Sequence, residues 1–309
     1  VTTLRELVDE GARQLRDSAG DAREDPRREA RMLLEAAVGC DRRDSLVRSD
    51  DPVDPEGTRR FWDLVEDRAR GIPLQILVGE TAFHDVMLTV RAGVFIPRPE
   101  TELLVEEVVI AVRNAVARAS AQERPDGIRV LDLCTGTGAV AVAAASALRD
   151  EPLVSMHAAD WNARAVHLAR HNAKRCGVEV DVRRSNLFSA FADLEHRVAV
   201  ISANPPYIDP AEAETLPLEV RLGDPRDALF DPEGGIGFHR RIADRGRRFL
   251  VDGGTLLLEM GETQADAIGR VLQDFGYGDV DVIPDLTGRD RFVRAVWKTG
   301  GEVPSMPFS

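Results

Sequence analysis

The sequence predicts an α/β protein in which a doubly wound parallel sheet follows a small helical bundle. Three observations lead there. The segment from Leu4 to Val65 carries a helical period, short apolar runs alternate with helical stretches from Ile128 onward, and a glycine-rich loop joins the first of those runs to its helix. At 309 residues the chain has room for two domains, and 43% hydrophobic with 30% charged residues argues for a packed core rather than disorder.

In the N-terminal part, Leu4, Leu7, Val8, Ala12 and Leu15 recur at helical spacing, as do Ala30, Leu33, Leu34 and Ala37, and then Phe61, Leu64 and Val65. Turn residues separate these helices at Ser18–Pro26 and Asp50–Gly57, which places the bundle at residues 1–75. Thr81–Val90 alternates and is rich in β-formers, so a hairpin is expected within a linker of residues 76–98. The stretch Phe95, Ile96, Pro97, Arg98, Pro99 cannot be helical, because each proline biases its predecessor toward extended geometry. A helix follows from about Glu100 to Ala119, with Glu100 and Glu102 suited to its positive N-terminal end.

Strands are predicted at Ile128–Leu133, Leu153–Ala159, Val178–Arg183, Val198–Ala203, Thr255–Met260 and Arg291–Trp297. Helices are predicted at Ala139–Leu148, Ala163–Cys176, Gly237–Leu250 and Thr263–Phe275. Together, residues 99–298 form the sheet domain, and Thr299–Ser309, rich in Gly, Pro and Ser, reads as a loose tail.

Composition excludes several classes. With 40 Lys+Arg against 53 Asp+Glu, the net charge of −13 disfavours a broad nucleic-acid groove, and the segment from Val1 to Arg70 is acidic as well. No apolar run approaches the ~20 residues of a membrane span. Val1–Glu6 lacks a basic leader followed by an apolar stretch, so a cytoplasmic address is expected. Cys40, Cys134 and Cys176 are odd in number and far apart, which fits neither a disulfide framework nor a zinc site. His167 and His171 stand four apart on one helix, but no third ligand accompanies them and no metal is expected. The stripe Arg241, Arg245, Arg248 reads as a solvated helix face.

Two motifs carry chemistry. The first strand runs into Cys134, Thr135, Gly136, Thr137 and Gly138, where glycines let a ligand approach the backbone closely. Asp160 closes the second strand, one helix and one strand beyond Gly138, where a carboxylate can accept both ribose hydroxyls of an adenosine. Gly136, Gly138 and Ala141 also satisfy the dinucleotide fingerprint, so this loop alone leaves a nicotinamide enzyme open. The discriminating element is Asn204, Pro205, Pro206, Tyr207 after the fourth strand, which hydride transfer does not need. The prolines fix the backbone so that the Asn204 side-chain oxygen and the Pro205 carbonyl can together accept from one planar NH2 group, while Tyr207 supplies a flat face.

At this point the sequence resembles the N5-glutamine methyltransferases that modify peptide chain release factors. The resemblance runs over nearly the whole chain, through PLQILVGETAF, FIPRPETELLVE, LDLCTGTGAVA, AADWNARAV, SNLFSAF, ISANPPYID and EVRLGDPRDALFDPEGGIGF. It implies a seven-stranded, Rossmann-like class I methyltransferase sheet with an N-terminal bundle that helps hold a class I release factor. It further implies S-adenosylmethionine as methyl donor and the glutamine of a Gly-Gly-Gln loop as acceptor. Matched motif by motif, Cys134 to Gly138 would cradle the methionine part, Asp160 the ribose, and Asn186 with Leu187 the adenine, while Asn204, Pro205, Pro206 and Tyr207 grip the glutamine amide beside a wall of Phe95, Arg98 and Glu100. Leu187 stands where relatives often carry an aromatic residue, Cys134 replaces a frequent glycine, and the tail is longer than usual.

The competing readings are a nucleic-acid exocyclic-amine methyltransferase, an N-methyltransferase of a small amine or amide, and a cofactor-sensing protein without activity. The first calls for a basic recognition region and leaves FIPRPET unexplained, and the last leaves Asp160 and NPPY without a role. With no general base evident beside the motif, Asn204 is expected to orient the amide rather than deprotonate it. The protein is expected to act as a monomer.

Overall fold

The computed structural model describes residues 2–19, 25–121 and 127–299, so residues 20–24 of the expected first turn and the expected tail from residue 300 lie outside it. The chain forms two units by its contacts. One comprises Val1–Thr81, Val90–Ala92 and Leu216–Gly223, and the other Ala82–Thr89, Gly93–Thr215 and Asp224–Ser309.

The first unit is helical: α1 (Leu4–Ala19), α2 (Pro26–Val38), α3 (Arg42–Val47), α4 (Pro55–Ala69) and α5 (Leu74–Val78). Aspartates start three of these helices. Asp25, Asp41 and Asp54 each accept from a backbone N–H three residues on, and Pro26 and Pro55 occupy the first helical position, where a missing N–H costs nothing. The helical period predicts the core well: Leu7, Leu15, Leu33, Leu34, Phe61 and Val65 are buried, and Leu64 packs partly buried beside them. Within this unit Arg68 lies buried and donates to both oxygens of Glu29, at 2.8 and 3.0 Å, and to Glu219 Oε2 at 2.9 Å.

A hairpin follows, β1 (Glu80–Phe83) and β2 (Val86–Thr89), where alternation predicts it. In the second unit a 3-10 turn at Pro99–Thr101 leads into α6 (Glu102–Ala121). Strand and helix then alternate: β3 (Ile128–Leu133), α7 (Ala139–Ala147), β4 (Val154–Asp160), α8 (Ala163–Arg175), β5 (Asp181–Arg184) and β6 (Val198–Ala203). The short α9 (Leu218–Gly223) belongs to the first unit, and α10 (Arg226–Leu229), α11 (Gly237–Gly246), β7 (Leu250–Glu259), α12 (Ala265–Asp274), β8 (Tyr277–Pro284) and β9 (Asp290–Trp297) complete the second.

The seven strands of the main sheet lie in the order β5-β4-β3-β6-β7-β9-β8. The first five are parallel, whereas β9 runs antiparallel to both β7 and β8. The expected doubly wound, seven-stranded sheet is present, with β9 as its antiparallel member. The strand β8 is not among those that the residues predict: Asp279 and Asp281 interrupt its apolar pattern, and it is an edge strand with one partner and several exposed positions. Central strands carry the opposite signature, with β6 buried at every residue.

The order reverses at β3, which β4 and β6 flank on opposite sides. A crevice opens at such a switch point, and the glycine loop after β3, Asp160 at the end of β4 and Asn204 after β6 all converge on it. Gly138 shapes that loop. It sits at φ +81° ahead of α7, and a Cβ there would lie 3.0 Å from the Ala169 Cβ and 3.1 Å from its Cα on α8. Gly138→Ala combines left-handed strain with overpacking against backbone, and it should lower the unfolding free energy by at least about 2 kcal/mol in a urea titration; an unchanged midpoint would show that α8 yields.

Candidate active site

A cavity of about 400 Å³ lies at this crevice, wholly within the second unit. Its floor is the loop after β3. Cys134 adopts φ +55° there, a conformation that favours glycine, which accounts for the glycine expected at that position in relatives. Burial pushes its thiol well above the ordinary range, and Asp160 and Asp132 add to the shift, so the sulfur stays protonated. Gly136 has φ +55°, and a Cβ built on it would meet only the Phe95 Cβ, in ordinary contact at 3.9 Å.

Three side chains hold the loop. Asp132 accepts from Thr135 Oγ1 at 2.6 Å and from Ser202 Oγ at 2.8 Å. Asn172 on α8 is fully buried and donates to the Thr137 carbonyl at 2.9 Å and to the Thr89 carbonyl at 3.1 Å. Asp160 accepts from the Gly136 N–H through Oδ2 and from the Asn162 N–H through Oδ1, both at 2.9 Å. Burial raises the pKa of Asp160, and those two backbone donors oppose the rise. Each oxygen keeps a lone pair for a further donor such as a ribose hydroxyl.

Asn186 and Leu187 form the adjoining wall, with Leu187 at φ +51°. The exposed ring of Trp161 adds a flat aromatic surface to which the sequence motifs assign no role. Opposite stand Asn204, Pro205, Pro206 and Tyr207. Asn204 Nδ2 donates to Thr101 Oγ1 at 3.3 Å, which leaves its Oδ1 as the acceptor for a ligand. Gln264 Nε2 donates to the Tyr207 carbonyl at 2.8 Å, and Gly235 approaches that carbonyl so closely that a Cβ would lie 2.6 Å from its oxygen. The turn is therefore fixed from outside as well as by its prolines.

The expected residues divide as follows. Cys134, Thr135, Gly136, Thr137, Asp160, Asn186, Leu187, Phe95 and the four residues of the NPPY turn line one cavity. Gly138, Arg98 and Glu100 are not among the lining residues. Gly138 spaces α7 from α8, and Arg98 pairs with the buried carboxylate of Asp224 and stacks over Phe95 at 5.1 Å, so it braces the wall. Glu100 is exposed on the 3-10 turn.

The structure also brings in residues to which the sequence assigns no part in the site. Arg241 lines the cavity, stacked 4.1 Å over the Phe238 ring, although its helical spacing with Arg245 and Arg248 reads as a solvated stripe. Behind the NPPY turn lies Glu259, which accepts from Thr101 Oγ1 at 2.7 Å and stands 3.5 Å from the Tyr207 hydroxyl. A signal for it is present: a single acid closes the apolar run Leu256, Leu257, Leu258. Among the described residues no group of three or more His, Cys, Asp or Glu is placed to hold a metal, and no helix is long and apolar enough to cross a membrane. His171 instead meets Thr89 Oγ1 at 3.2 Å.

Comparison with known proteins identifies the family. The family model of the PrmC N-terminal domain matches residues 6–79, and that of the methyltransferase small domain matches residues 117–221. A release factor glutamine methyltransferase of Deinococcus radiodurans is 38% identical over 270 residues, covering 87% of this chain and 91% of its own length. One from Mycolicibacterium smegmatis is 39% identical over 296 residues, covering 96% and 98% respectively. Among solved structures, the hMettl16 catalytic domain in complex with MAT2A 3′UTR hairpin 6 shares the fold alone, with a TM-score of 0.52 and 15% identity over 79% of this chain and 84% of that one. On the strength of those two relatives, matched over nearly their full length, the chain belongs to the release factor glutamine methyltransferase family.

Proposed function

We propose that the protein transfers a methyl group from S-adenosylmethionine to the side-chain amide nitrogen of the glutamine in the Gly-Gly-Gln loop of class I peptide chain release factors. The observation that carries this reading is that the Asp160 loop and the NPPY turn open into one cavity, with Asn204 Oδ1 left as an acceptor. The release factor relatives supply the acceptor class. In this reading residues 1–75 engage the release factor, residues 76–98 link, and residues 99–298 carry the chemistry.

The residues present fit S-adenosylmethionine. The cavity beside Gly136, which carries no side chain, gives room for an extended amino-acid chain, and Asp160 keeps lone pairs for a diol. Asn186, Leu187 and Trp161 offer a mixed polar and flat apolar wall for adenine. The chemistry supplied by the bound donor is an electrophilic methyl group on a positively charged sulfur.

An unactivated carboxamide nitrogen is a weak nucleophile, so the protein's part is orientation. Asn204 Oδ1 and the Pro205 carbonyl accept the two protons of the glutamine NH2 and fix the plane of the amide. Tyr207 packs against that plane, and the prolines keep both acceptors from drifting. Holding reactants in line contributes on the order of 7–11 kcal/mol. Once nitrogen carries the methyl group it is strongly acidic and loses its proton without a dedicated base.

Mass spectrometry after incubation with the organism's own release factors and S-adenosylmethionine tests the reading directly. One added methyl on the glutamine of Gly-Gly-Gln is expected; unmodified release factors beside a methylated small amide would refute the acceptor. Asp160→Ala removes a charge-assisted contact worth about 1.5–3 kcal/mol together with its support of the loop, so calorimetry should show S-adenosylmethionine bound about 10- to 100-fold more weakly. For Asn204→Ala, kcat should fall by at least about 100-fold while cofactor affinity stays within about threefold. Full turnover at saturating cofactor would remove Asn204 from its role.

A further inference from the structure

Behind the NPPY turn, three buried or half-buried groups form a chain that ends on the orienting amide. Glu259 Oε2 accepts from Thr101 Oγ1 at 2.7 Å, and Thr101 Oγ1 in turn accepts from Asn204 Nδ2 at 3.3 Å. The other oxygen of Glu259 faces the Tyr207 hydroxyl at 3.5 Å. Both Thr101 and Glu259 are buried, and they come from distant parts of the chain, the turn before α6 and the end of β7.

An asparagine amide has an oxygen face and a nitrogen face of nearly equal shape, so packing alone does not choose between them. Only one choice serves an acceptor NH2. We infer that Glu259 and Thr101 make this choice, as positioning residues: the Glu259 carboxylate takes the Thr101 proton in a hydrogen bond, the Thr101 oxygen is left to accept from Asn204 Nδ2, and Asn204 Oδ1 is thereby held toward the substrate amide. This rests on the function proposed above.

The polarity of the chain follows from the ionisation of Glu259. An ionised carboxylate is acceptor-only, which forces Thr101 to donate to it. A protonated Glu259 can donate to Thr101 instead. The Thr101 hydroxyl is then free to donate toward Asn204, which favours the flipped amide and sets an NH2 group against the substrate NH2. Burial raises the pKa of Glu259 to about 7, partly opposed by the Thr101 hydrogen bond, so the reversal falls near neutral pH.

Among the described residues, the charged and titratable groups around it are few. Arg291 on β9 favours the ionised form and Glu100 on the 3-10 turn disfavours it. Tyr207 stays protonated because burial raises it. His239 on α11 meets the Glu259 backbone carbonyl at 2.8 Å, and burial lowers its pKa to about 4, so it is neutral throughout this range.

The test uses the full chain and two readouts. The first is kcat at saturating cofactor and release factor from about pH 5.5 to 8.5, where the wild type should lose activity on the acid side with an apparent pKa near 7. Glu259→Gln should abolish that acid limb. Thr101→Val should lower kcat by about 10- to 100-fold with KM and cofactor affinity within about threefold, and Thr101→Ser should restore it. The second readout needs no acceptor: the side-chain amide NMR resonances of Asn204 should titrate near neutral pH in the wild type and not in Glu259→Gln. It separates the relay from the choice of substrate, because an Asn204 titration persists even where release factors prove not to be methylated. An acid limb or an Asn204 titration retained in Glu259→Gln, full kcat in Thr101→Val, or equal losses of kcat and cofactor affinity there would overturn the inference.

Discussion

Two hydroxyls on one buried carboxylate hold the site together: Thr135 donates to Asp132 Oδ2 and Ser202 to Asp132 Oδ1. Asp132 lies on β3, Thr135 in the glycine loop that follows it, and Ser202 on β6, just before Asn204. The same carboxylate therefore sets both the glycine loop and the strand that delivers the NPPY turn. Burial raises its pKa to about 7, and the two hydroxyl bonds work against that rise. Hydrogen bonds to an ionised group contribute about 1.5–3 kcal/mol each, enough to keep a carboxylate in a place that desolvation alone would forbid. An apolar residue at this position would leave two buried hydroxyls without their partner and the loop free to shift relative to β6.

The other unit is organised around a buried guanidinium. Arg68 binds both oxygens of Glu29 in a forked geometry and also reaches Glu219, so it fastens the late segment Leu216–Gly223 to the N-terminal helices of that unit. That segment follows the NPPY turn in sequence. The chain leaves the second unit at Thr215 and re-enters it at Asp224, whose buried carboxylate accepts from the Ile96 N–H at 2.9 Å and pairs with Arg98. This gives a structural reason for FIPRPET and NPPY to occur in one chain: Arg98 fixes the return of the chain and braces Phe95, and Thr101 supports Asn204.

Much of this is legible in the residues because it is decided locally. Helical spacing locates the bundle core, proline bias keeps residues 95–99 out of a regular α-helix, and the strand-loop-helix of residues 128–147 follows from glycines between apolar runs. What escapes is non-local. The edge strand β8 carries charges because only one of its sides is paired, which erases the apolar pattern that marks its neighbours. Arg241 repeats at helical spacing with two other arginines, and spacing cannot say that one turn of that helix abuts a cavity. Thr101 and Glu259 are 158 residues apart, and nothing in either stretch announces that their side chains meet.

On the proposed reading, the charge of the cavity leaves orientation rather than attraction to supply the rate. Its lining holds three carboxylates, Asp132, Asp160 and Asp227, against one cation, Arg241, among the described residues. Such a field draws in a cationic ligand, and on the proposed reading it holds a sulfonium better than the neutral thioether that remains after transfer. That difference assists exchange of donor for product. It stabilises the reactant, however, at least as much as a transition state in which the positive charge is already dispersing, so it adds nothing to the chemical step. On the same reading, acceleration falls to the groups that fix the acceptor amide. Asn204 is restrained by Thr101 and the Tyr207 carbonyl by Gln264, while the two consecutive prolines remove backbone freedom between them. A site of this kind tolerates a cavity whose charge favours its reactant over its product, provided the small polar contacts behind the turn are kept intact.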